Sequence, residues 1–81
     1  MGVLEDVSDR LAQEALDLEE RLDDEKIVPK IADALGKSSP TMEEHFLTAV
    51  RIRRAERRAQ KVLDEFNATY EAKMPRQLPA S

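Results

Sequence analysis

The chain has 81 residues, a net charge of −4, 41% apolar and 37% charged residues, two glycines, one histidine and no cysteine. That allows one small domain and excludes disulfide frameworks, closed Cys/His zinc sites, the usual catalytic triads and glycine-rich phosphate loops. Ala, Glu, Lys, Leu and Arg supply 42 of the 81 positions, the composition of long helices rather than sheets.

Charge is divided sharply along the chain. Residues 1–25 hold ten acidic and two basic groups, whereas residues 41–81 hold eight basic and six acidic groups. No apolar run is longer than Ile27-Val28, so no membrane span is expected. The acidic start, Met1-Gly2-Val3-Leu4-Glu5-Asp6, is unlike a secretory or transit peptide, and cytoplasmic residence is the expectation.

From Val3 to Leu22, Leu4, Leu11 and Leu18 fall seven apart, with Ser8, Ala15 and Leu22 four residues after each. That is a heptad seam. Pro29 interrupts it, and either kinks the helix or restarts it, because proline lacks the amide its position would donate. Val28, Ile31 and Leu35 continue an apolar stripe, so a first helical arm is expected over about 3–35, with Gly36 closing it. A turn follows over 36–40. Thr41 and Glu44 read as a capping box for a second helix over about 41–73, with Ser39 before Pro40 an equally legal cap. The seam of this helix is Met42, His45, Ala49, Ile52, Glu56, Ala59, Leu63, Phe66 and Tyr70, broadened by Phe46, Val50 and Val62. Glu56 either sets the register as a paired polar residue, or the seam shifts there and Ala55 faces inward. Residues 1–74 thus read as a single helical-hairpin domain and 75–81 as a flexible tail.

Two long helices joined by a short turn lie antiparallel. With the turn near residue 38, position i faces roughly 76 − i. The basic run from Arg51 to Lys61 then lies opposite the acids of residues 15–25. The charge asymmetry is explained by salt bridging across the hairpin without a ligand. Nucleic acid is the competing reading of Arg53, Arg54, Arg57 and Arg58, although no aromatic residue interleaves with them for base stacking. No metal or cofactor is expected: Glu44 and His45 are adjacent rather than three apart, and there is no second histidine. Leu16, Ile27, Leu47, Val50 and Val62 lie off the main seams, an apolar surplus that a lone hairpin leaves uncovered. Self-association is therefore expected on Leu11, Leu18, Leu22, Leu47, Ile52, Leu63 and Phe66.

A long helical hairpin without catalytic groups, over Val3 to Lys73, with surplus apolar stripes, resembles the oligomerisation core of small terminase subunits, the DNA-packaging adaptors of tailed phages and gene transfer agents. That resemblance implies a ring recruiting a large ATP-driven packaging subunit. The helix-turn-helix of that family has no counterpart in these residues, so the expectation concerns assembly rather than sequence-specific DNA recognition. The hairpin is also similar to RNA-binding dimeric bundles of plasmid copy-number regulators, and the acidic stretch 14–25 to small inhibitors that mimic nucleic acid. The combined expectation is an all-α hairpin forming a helical homo-oligomer, acting as a non-enzymatic adaptor that docks a larger protein.

Overall fold

A computed structural model describes residues 2–73. It consists of three helices, α1 (Val3–Leu22), α2 (Ile27–Ser38) and α3 (Pro40–Lys73), with no strand among the described residues. The tail expected at 75–81 lies outside the described residues.

The first expected arm is two helices, and the break falls before the proline. Asp23 adopts the left-handed conformation, with φ 52° and ψ 48°, and its amide and that of Asp24 both donate to the Glu19 carbonyl. This closes α1 as a left-handed residue closes many helices. The Asp24 side chain then accepts from the Lys26 amide at 2.9 Å, holding the turn. Pro29 sits as the third residue of α2, within a first turn whose amides have no helical acceptor, so it is tolerated there and does not create the break.

The second turn is a single residue. Ser39 is extended, and its Oγ accepts from the Met42 amide at 3.1 Å, so Ser39 rather than Thr41 caps α3, and Pro40 opens the helix. Gly36 is inside α2 instead of closing it. A β-carbon at Gly36 would meet only the carboxylate end of the Glu43 side chain, which can move aside.

Ser8 near the start of α1 meets Met42 near the start of α3, while Asp17 and Glu19 near the end of α1 meet Arg57 and Arg54. Contacting positions rise together, so α1 and α3 run in the same direction and α2 returns antiparallel between them. The expected 76 − i register between the acidic and basic arms is therefore corrected. The antiparallel hairpin is α2–α3.

The core comprises Ala12, Ala15, Leu16, Val28, Ala32, Phe46 and Val50. Three of these seven are alanines, which allow close helix approach and leave Phe46 and Val50 as bulky knobs. Leu16 and Val50, expected off the seam, are buried, and Ile27 and Leu47 pack against the core at half burial. In the three-helix head, formed by α1, α2 and α3 as far as Arg57, the face of α3 that is used runs through Phe46 and Val50, which were expected only to broaden the seam, and on through Arg53 and Arg57. No described helix is long and apolar enough to cross a membrane.

Candidate functional site

Two regions carry possible chemistry: the charged contacts between α1 and α3, and the part of α3 beyond the head.

The charged contacts begin at Asp9. Its carboxylate accepts from Arg53 Nε at 2.7 Å and from Arg53 Nη2 at 2.5 Å, a two-pronged pair, and from Gln13 at 3.1 Å. Arg53 also donates to Glu56 at 2.8 Å. The Arg53 hydrogen bonds hold the Asp9 carboxyl below its ordinary value, partly opposed by burial, and Asp9 and Glu56 raise Arg53. Farther along, Arg57 donates to Asp17 at 2.9 Å and lies 4.0 Å from Glu20.

Glu19 links all three helices. One oxygen accepts from Arg54 of α3 at 3.2 Å, and the other accepts from the Val28 amide at the start of α2 at 3.0 Å. A carboxylate at a helix N-terminus satisfies an orphan amide and opposes the helix dipole. This role was hidden in the sequence, where any restart was expected at Pro29 itself, which has no amide to donate, rather than at Ile27.

Three of the four arginines considered for nucleic acid, Arg53, Arg54 and Arg57, are thereby engaged with α1. Arg51, Arg58 and Lys61 have no carboxylate within 4 Å among the described residues. His45 donates from Nδ1 to the Thr41 carbonyl at 3.2 Å. Among the described residues no group of three His, Asp or Glu side chains is arranged for a metal ion.

The second region is of another kind. From Arg58 to Glu71 every residue of α3 is exposed. Yet Leu63, Phe66 and Tyr70 continue the seam there at heptad spacing, with exposures of 54%, 69% and 57%. Ala59 and Val62 extend that stripe, and Gln60, Asn67 and Thr69 flank it. Arg58, Lys61, Asp64, Glu65 and Glu71 all fall on the remaining side. About half the circumference of this arm, roughly 180°, therefore carries no charge.

This face points away from the line that α3 uses in the head, by roughly 130° at 100° per residue. Toward the N-terminus it runs through the exposed Ile52 into a groove of about 350 Å³, where His45, Ala49 and Ile52 of α3 face Asp6, Ser8 and Asp9 of α1.

The residues expected to mediate self-association divide accordingly. Leu11 and Leu47 pack against the head core and Leu18 is half-buried, whereas Leu22, Ile52, Leu63 and Phe66 are exposed. No family model, curated protein or solved structure matches this chain.

Proposed function

We propose that this protein is a non-enzymatic assembly subunit that self-associates through the outer half of α3 and, as an oligomer, presents repeated surfaces to a larger protein partner. The observation that carries this is the uncharged face around Leu63, Phe66 and Tyr70, exposed along a helix that nothing else among the described residues covers. A lone helical segment of this length is marginal in water, and packing of its apolar face is what stabilises it. A contiguous apolar stripe on an otherwise charged chain marks an interaction surface.

The test is mass in solution by light scattering. Wild-type protein is expected to be larger than a monomer, and Leu63→Glu combined with Phe66→Glu is expected to return it to a monomer with the thermal transition of the head retained. A wild-type monomer at all concentrations overturns the reading.

The DNA-packaging adaptor is a narrower form of this proposal, which a closed ring in solution would support. A second reading, direct binding of RNA or DNA, draws on Arg51, Arg58 and Lys61, whose charges are not matched within the head. It requires affinity that falls steeply with salt. Engagement of Arg53, Arg54 and Arg57 by α1 favours the assembly reading over it.

A further inference from the structure

Resting on the assembly reading, we infer that the occupant of the exposed α3 face is a second copy of the same helix, running antiparallel, with the two-fold axis level with residue 61.

Three observations point to that geometry. The first is the spacing of the seam about residue 61. Ile52 and Tyr70 lie nine residues either side of it, Glu56 and Phe66 five, and Ala59 and Leu63 two. An antiparallel partner in this register sets Ile52 against Tyr70, Glu56 against Phe66 and the small Ala59 against the larger Leu63. Each of these three pairings occurs twice, giving six layers from one symmetry operation, as an interface between identical surfaces requires.

The second is charge. The arm is basic before residue 61 and acidic after it. The two-fold lays the basic half of each helix alongside the acidic half of the other; the charged groups lie off the seam, so the complementarity is one of blocks along the axis and not of contact pairs. A parallel pairing would set each charge level with its own kind.

Glu56 supplies the third. It is the one charged seam residue between Ile52 and Tyr70, and a parallel pairing in register would face it with its own copy across the seam. Two carboxylates at that position repel, whereas the antiparallel pairing separates them by about 15 Å along the axis. Each then meets Phe66 of the other copy while its charge remains held by Arg53 of its own chain at 2.8 Å. The pairing is also continuous with the head, because Tyr70 of one copy arrives beside Ile52 at the mouth of the α1–α3 groove of the other.

The absence of cysteine from the chain permits a clean test by single substitutions. Gln60 and Asn67 are exposed neutral residues seven apart, at the same position relative to the seam, so a parallel pairing treats them alike. In the antiparallel pairing the two copies of residue 60 meet near the axis, while the two copies of residue 67 are separated by about 18 Å along it, far beyond disulfide reach. The protein carrying Gln60→Cys is expected to oxidise to a covalent dimer in about tenfold higher yield than Asn67→Cys under identical conditions. Equal yields, or a higher yield at residue 67, overturn the antiparallel register. Solution mass separates this failure from the failure of the assembly reading. A mass above a monomer with the wrong cross-linking pattern removes the orientation alone, whereas a wild-type monomer removes both.

Discussion

The head and the arm share one helix and one apolar period, yet one half of α3 is the wall of a core and the other half has no neighbour among the described residues. In the head, Phe46 is fully buried, because α1 and α2 bring Ala12, Ala15 and Ala32 close around it. In the arm, Phe66 stands on the same helix with 69% exposure. The difference lies in what the chain has available to lay against each half. Helical periodicity states that a face is to be covered; it does not state by which molecule.

The most direct way to sharpen that contrast is to truncate the same residue type in both halves. Phe46→Ala removes a fully buried ring and is expected to destabilise by about 3–5 kcal/mol, most of the stability of a domain this size. Circular dichroism should show little or no cooperative transition left. Phe66→Ala, measured in protein dilute enough to be monomeric, should leave the melting of the head nearly unchanged, and its effect should appear in self-association instead. Equal destabilisation by both variants under those conditions would mean that the arm is packed onto the head rather than open to solvent.

The helical class, the amphipathic faces and the match between acidic and basic blocks were legible in the sequence. Their direction was not. Residues 17–20 meet residues 54–57 whether the helices run parallel or antiparallel, so block complementarity is blind to orientation, and the Ser8–Met42 contact is what distinguishes the two. The face of α3 used by the head was also ambiguous. Both the line through Phe46 and Val50 and the line through Ala49 and Ile52 are apolar, and the placement of α1 and α2 decides which is enclosed. The position of the break was hidden by a strong local signal, Pro29, that overshadowed a weak one, an aspartate in the left-handed conformation at 23.

A smaller effect separates head from arm by pH. Arg53 holds the Asp9 carboxyl below its ordinary value of 3.8, so the folded head binds that proton less readily than the unfolded chain does. The stabilisation is fully present above that value and is lost as pH falls through the lower folded value. Asp9 and Arg53 are 37% and 29% exposed, so solvent screens the pair and its contribution is modest. Asp9→Asn is expected to lower the melting temperature at pH 7 by about 1–5 °C, with the gap to wild type closing as pH falls below about 4. A gap that persists unchanged into acid would assign the loss to packing rather than to the charge.

The smallest expected effect concerns the break between α1 and α2, on which the three-helix head depends. If Pro29 caused that break, replacing it would let α1 continue into α2, helicity would rise and the core around Phe46 would be lost. The geometry assigns the break to other groups: Asp23 turns the chain, Asp24 holds the turn, and the Glu19 carboxylate ties the Val28 amide to Arg54. Pro29 is exposed and in the first turn of α2, where its missing donor leaves no acceptor unmatched within the helix. Pro29→Ala is therefore expected to change stability by no more than about 0.5 kcal/mol, as for a surface substitution, with helicity by circular dichroism unaltered. A clear rise in helicity together with loss of the cooperative transition would return the break to the proline, and with it the single long first arm that would make the whole molecule, and not only its outer half, an open two-helix structure in need of a partner.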